Sequence, residues 1–228
     1  MTTTTTSADV LEAIDAIRAE HHPATQPLLR AMADGELTRD ELRAFAAQYF
    51  HVVDSLPRFV SMVHSVTTKH PAIRRTLLNL LVPLELHPPS IADLWLQTCA
   101  SLGLFSDTVR NAEPSVTTAV CLTDFEYLCQ AGTVQGLAAI YSWLSRLPEV
   151  CRISQEAFAT HYGIASGPGV QFFEIVGFQS AGQMRPLRAA LAALLDEYPE
   201  AGPAAVEAAR GATAAVTGMY SGVLAAVR

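Results

Sequence analysis

Phe172-Phe173-Glu174-Ile175-Val176-Gly177-Phe178-Gln179-Ser180-Ala181-Gly182-Gln183 is the stretch on which the reading of this chain turns. As a helix it places Val176, Ser180 and Gln183, at i, i+4 and i+7, across a single face. An aliphatic group, a hydroxyl and a carboxamide stand there, and none is an ordinary transition-metal ligand.

Outward from this helix the punctuation is clear. Tyr162-Gly163-Ile164 and Gly167-Pro168-Gly169 make a loop before it, and Pro186 kinks or restarts it. A long segment from about Thr133 to Phe158, with Pro148 inside, precedes that loop. Gly202-Pro203 to Arg228 follows as an Ala-rich helix whose small residues let it lie close to a neighbour. Toward the N-terminus, Ser115 opens a helix running through Cys129. Ser90 caps one that carries Trp95, Cys99 and Leu102 at i, i+4 and i+7. His70-Pro71 starts a helix that Pro88-Pro89 ends. Thr38 and Glu41 form a capping box at the head of a long helix to about Val66. Ser7 to about Glu20 makes a first helix, broken at His21-His22-Pro23. The expectation is an all-α, single-domain bundle of about seven helices over residues 8–228, behind a disordered Thr-rich tail at 1–7.

Composition supports one large core. Of 228 residues, 50% are hydrophobic and only 16% charged, and no run of alternating Val, Ile and Thr suggests strands. A net charge of −7 with scattered basic residues gives no footprint for nucleic acid or an anionic bilayer. No apolar run long enough to span a membrane appears, and Met1 to Ser7 is not a signal sequence, so the expected location is the cytoplasm. Cys99, Cys121, Cys129 and Cys151 contain no C-x-x-C pair and sit in apolar helical sequence, which fits buried thiols.

His22-Pro23, Gly35-Glu36-Leu37-Thr38, Gln48-Tyr49-Phe50 with Pro57-Arg58-Phe59, Asp93-Leu94-Trp95 with Leu102-Gly103-Leu104, Tyr141 with Pro148, and Tyr162-Gly163 form an ordered set. With the 172–183 stretch, this set resembles the haem-oxygenase-like superfamily from about residue 8 to 227. That superfamily groups the TenA thiaminases, pyrroloquinoline-quinone synthase C and the haem-oxygenase-like diiron oxidases. In the diiron members the last helix resembles Phe-Phe-x-x-His-x-x-x-Asp-x-x-His. A Glu-x6-His pair on the third long helix and a Glu four residues before a Pro on the fifth complete the site. Carried onto this chain, those six places fall at Leu84, Ile91, Leu144, Val176, Ser180 and Gln183. Glu85 and His87 lie beside two of them, but residues so close in sequence point to different faces and cannot both stand in. The resemblance therefore implies the scaffold without its metal, and no cofactor is expected.

The exchange of carboxylates and imidazoles for aliphatic groups makes an apolar interior, either closed as packed core or open to a largely apolar ligand. On the resemblance, the expected activity is a metal-independent biosynthetic enzyme, oxidising, cyclising or eliminating on an apolar or aromatic small molecule. Tyr49, Tyr141, Ser180 and Gln183 are the candidate catalytic groups. Asp54, Arg58, Leu84, Ile91, Tyr127, Leu144, Phe173 and Val176 are the candidate substrate contacts. The alternative is a catalytically degenerate member that binds a ligand or pairs with an active paralogue, and a weaker one is a diiron oxidase with displaced ligands. A homodimer, or a heteromer with a paralogue, is the expected assembly.

Overall fold

Four hydroxyl side chains decide where helices begin. Thr6, Thr38, Ser90 and Ser115 each accept a hydrogen bond from the backbone amide three residues on, and the first three are answered by Asp9, Glu41 and Asp93 in capping boxes. In the computed structural model, which describes residues 6–86 and 88–228, the elements are α1 (Ser7–Glu20), α2 (Pro27–Ala33), α3 (Arg39–Val66), α4 (Pro71–Glu85), α5 (Ile91–Ser101), α6 (Ser106–Arg110), α7 (Val116–Gln130), α8 (Thr133–Leu144), α9 (Leu147–His161), α10 (Pro168–Glu197) and α11 (Gly202–Val227). Short 3-10 turns occupy Pro23–Thr25 and Pro199–Ala201. No strand occurs among the described residues.

The all-α bundle is as expected, and the finer division has local causes. α1 begins at Ser7 as read, and Thr6, read as tail, caps it, because the Asp9 carboxylate accepts from both the amide and the hydroxyl of Thr6. The rest of the Thr tail, and His87, lie outside the described residues. Pro148 does not sit inside one long helix: it occupies the first turn of α9, where its missing N–H costs nothing. Pro186, in contrast, is carried within the unbroken α10. It leaves the Gly182 carbonyl without its helical donor.

Close approach needs small residues. A Cβ on Gly136 of α8 would stand 2.6 Å from Val63 Cγ2 of α3, and one on Gly222 of α11 would collide with Thr117 of α7. Ala205, Ala208, Ala209 and Ala212 of α11 are likewise buried, where α11 packs along α7 and α8. Gly35 turns the chain from α2 toward α3 with φ at +70°, against the ring of His161.

α3 is the axial element, flanked by α4, α5, α7, α8 and α11, while α10 crosses from α5 to α9. Between them sits an aromatic core. Trp95 meets Phe172 at 4.7 Å and Tyr49 at 4.9 Å, edge to face, and its Nε1 donates to the Ala46 carbonyl at 2.8 Å. Truncating such a residue costs about 3–5 kcal/mol. This cluster fixes α3, α5 and α10 against one another and so positions the interior described next.

Candidate functional site

Five of the six places read from the sequence come together. Leu84 of α4, Leu144 at the end of α8, and Val176, Ser180 and Gln183 of α10 line one cavity, joined by Leu56 of α3, Leu147 of α9 and Gln179. The sixth, Ile91, is buried at the first turn of α5 but outside this wall. The cavity measures about 20 Å³, room for roughly one water molecule.

These residues do not fit a transition metal. Leu84, Leu144 and Val176 offer no lone pair, and the Ser180 hydroxyl and the Gln183 amide are neutral donors poorly suited to iron or manganese. No group of three His, Cys, Asp or Glu side chains that could hold a metal ion occurs among the described residues.

The other candidates scatter. Phe173 is buried among Phe158, Phe172 and Trp95. Tyr141 is buried too, but its hydroxyl turns toward α1 and donates to Asp15 Oδ1 at 3.3 Å, with the Arg18 guanidinium 5.7 Å over its ring. Leu144 lies one turn on, yet the hydroxyl does not share its cavity. Asp54 and Arg58 are exposed on α3, and Arg58 pairs with Glu126 at 3.3 Å rather than with Asp54. Tyr127 is 73% exposed on the outer side of α7.

Tyr49 belongs to a second interior region. It shares a face of α3 with Leu56, seven residues or about 10 Å along the axis. Its ring stacks on Phe45 at 5.4 Å and lies 6.1 Å from Tyr220 of α11. Burial, then the neighbouring Tyr220 phenol, pushes Tyr49 well above the ordinary tyrosine range. Burial pushes Tyr220 to about 12, with Arg146 pulling the other way. Tyr49 is thus a hydrogen-bond donor at neutral pH, not a base.

Arg146, in the turn between α8 and α9, completes this centre. It is 4% exposed, and its Nε, Nη1 and Nη2 have no hydrogen-bond partner among the described residues. Burial lowers its pKa, while the Tyr220 and Tyr49 phenols oppose that shift. Sequence reasoning passed over both Arg146 and Tyr220. The signals were a lone cation between Leu144 and Leu147, and the one aromatic residue of the Ala-rich α11.

Fold and site together define an all-α, haem-oxygenase-like bundle whose interior has an aliphatic cavity wall and also encloses a buried cation. The model of the TENA/THI-4/PQQC family matches residues 12–208, and the chain belongs to that family. Among curated proteins it is 29% identical over 168 residues to a 4-aminobenzoate synthase of Chlamydia muridarum, covering 73% of this chain and 71% of that protein. It is 26% identical over 171 residues to a protein of the same name from Nitrosomonas europaea, with coverages of 71% and 70%. Among solved structures, a TenA homolog from Pseudomonas syringae superposes with a TM-score of 0.77 at 13% identity, covering 96% of this chain and 92% of that one. A CADD-like protein of unknown function from Nostoc punctiforme gives 0.77 at 14%, with 96% and 95% covered. At such identities the two structures speak to the fold alone. Among the described residues no helix is long and apolar enough to cross a membrane.

Proposed function

We propose that this chain is a biosynthetic enzyme of a small-molecule pathway, acting without a transition metal on a mainly apolar or aromatic substrate held along the inner face of α3. One observation carries the reading: the wall built by Leu84, Leu144 and Val176 is aliphatic, and Ser180, Gln179 and Gln183 supply its polar groups. The names of the relatives favour an aromatic carboxylate, 4-aminobenzoate or a molecule like it, as product.

In this reading catalysis rests on desolvation and positioning rather than on a Lewis acid. Tyr49, Ser180 and Gln183 donate hydrogen bonds to the substrate, and Leu84, Leu144 and Val176 exclude water. Cyclisation and elimination need only such proton donors and positioning, and oxidation in addition needs molecular oxygen as the electron acceptor. A substrate larger than water needs the wall to part. α10 is its weakest member, since Gly177, Gly182 and Pro186 interrupt good helix-forming sequence beside the cavity. We place the protein in the cytoplasm, to which four buried, unpaired thiols are suited. We assign it a homodimer or a pair with a paralogue, for which Val116, Val120 and Tyr127 on the exposed side of α7 offer apolar surface.

Complementation tests the reading. A strain unable to make 4-aminobenzoate should grow without that compound when it carries this chain, and lysate activity should survive chelation. No growth, alongside growth supported by one of the relatives, rejects the proposal. The near closure of the cavity favours a second reading, a degenerate subunit of an active paralogue. Growth that needs co-expression of that paralogue would establish it.

A further inference from the structure

We infer that Arg146, with the phenols of Tyr49 and Tyr220, forms an interior binding site for a carboxylate, the anionic end of a small aromatic acid. The assignment of an aromatic acid rests on the function proposed above. The anion site itself rests on Arg146, and the experiment below separates the two.

A guanidinium stays protonated at neutral pH even when burial lowers its pKa, so it cannot escape burial by losing its charge. An unpaired charge taken out of water is among the most unfavourable features a core can hold. Buried polar groups almost always find partners, yet here three nitrogens of one side chain find none among the described residues. The charged and ionisable groups facing Arg146 are the Tyr220 and Tyr49 phenols and a second cation, Arg18. Both phenols are held neutral by burial. The carboxylate beside Arg18, Asp15, is already taken by Arg18 at 2.8 Å and Arg188 at 2.9 Å. The protein therefore encloses the Arg146 guanidinium near two neutral phenols and gives it no anion of its own among the described residues.

The shape of the partner follows. The planar fork of a guanidinium matches the two oxygens of a carboxylate, with paired, charge-assisted hydrogen bonds. A phenol hydroxyl beside it adds a directional donor. Tyr49 carries the site into the aromatic cluster of Phe45 and Trp95, whose ring faces and edges suit an aryl group. A monocarboxylate on a six-membered ring satisfies both ends.

Titration calorimetry and thermal melts of the full chain decide the matter, with benzoate and 4-aminobenzoate as probes and the uncharged 4-aminobenzamide as control. The acids should bind at least tenfold more tightly than the amide and raise Tm, whereas the amide leaves Tm unchanged. Arg146→Met should abolish the acid-dependent shift, and Arg146→Lys, which keeps the charge but not the fork, should weaken it at least tenfold. Should Arg146→Met fail to fold, the lysine variant and the acid-against-amide comparison still decide. Equal binding of acid and amide, no binding of either acid, or undiminished acid binding by a folded Arg146 variant would overturn the site. Carboxylate binding without complementation of the auxotroph removes the catalytic reading and leaves the anion site in place.

Discussion

Two neighbouring interior regions, one reached by Leu56 of α3 and the other by Tyr49 about 10 Å along the same helix, have met the problem of burial in opposite ways. Around Leu84, Leu144 and Val176 the wall is aliphatic and closes to about 20 Å³, with its few polar groups neutral. Around Tyr49, Tyr220 and Arg146 a full positive charge is enclosed with no partner among the described residues. The first arrangement is what stability alone favours. The second opposes stability, and a chain only marginally stable keeps such a feature where something other than folding requires it. The contrast is the ground for the carboxylate site proposed at the cation, with the aliphatic wall as its dry neighbour.

The largest test of that contrast asks whether the interior is dry. Burial pushes the thiols of Cys99, Cys121, Cys129 and Cys151 to about 12 from a reference of 9.0. Below pH 9 these groups are neutral whether the chain is folded or not, and they leave stability unchanged. Above it the unfolded chain releases protons that the folded one retains, so stability falls by about 1.4 kcal/mol per pH unit for each thiol until about pH 12. Four together exhaust a typical ~5–15 kcal/mol of stability inside that window. Helicity followed by circular dichroism should collapse between pH 9 and 12, and full helicity at pH 12 would show that water reaches the core.

Next comes the aliphatic wall. Leu144→Glu returns a carboxylate to a place where the wider superfamily resemblance implies one, but now in a cavity whose lining holds neither metal ligand nor cation to meet it. At pH 7 the substitution should lower stability by about 3–5 kcal/mol. The buried carboxyl has a folded pKa raised above its unfolded value near 4.3. The loss is therefore complete well above that folded value and shrinks as pH falls through it. Denaturant melts at pH 7 and pH 5 measure the difference. A variant as stable as the parent at pH 7 would mean that this wall is open to solvent.

How much of this was legible in the chain depended on whether a feature is local. Helix starts were readable because a cap such as Thr38 with Glu41, or Ser90 with Asp93, acts within four residues. The gathering of Leu84, Leu144, Val176, Ser180 and Gln183 was readable because helical spacing, laid over the family resemblance, fixes the inward face. Tyr141 shows where spacing stops. Its backbone position is near Leu144, but Asp15, 126 residues away in sequence, draws the hydroxyl to the other side. Tyr127 and Arg58 were placed by type rather than by face and proved exposed. Arg146 was missed because a single cation in an apolar segment reads as a surface residue. Only the folded chain, in which Arg146 is almost wholly buried, shows it enclosed.

A smaller effect, of opposite sign, concerns the cation itself. Replacing a buried, unpaired guanidinium by a side chain of similar length without charge should stabilise the ligand-free protein, by about 1–4 kcal/mol. Arg146→Met should therefore melt above the parent in buffer alone. A fall in Tm of similar size would mean that Arg146 holds the turn between α8 and α9 together, and the contrast between the two regions would lose its cation.

The smallest test sets two tyrosines against each other. Tyr141→Phe removes one half-buried hydrogen bond to Asp15, itself engaged by Arg18 and Arg188, and should cost about 0.5–1 kcal/mol while leaving carboxylate binding unchanged. Tyr220→Phe removes a hydroxyl facing Arg146, and should cost no more in stability yet weaken benzoate binding several-fold. Both substitutions delete one oxygen atom from a buried ring. A difference in binding without a difference in Tm, read by calorimetry on the two variants, therefore separates a group that faces the ligand from one that only ties α8 to α1. If both variants bind equally, the phenols are packing, and Arg146 must hold its anion unaided.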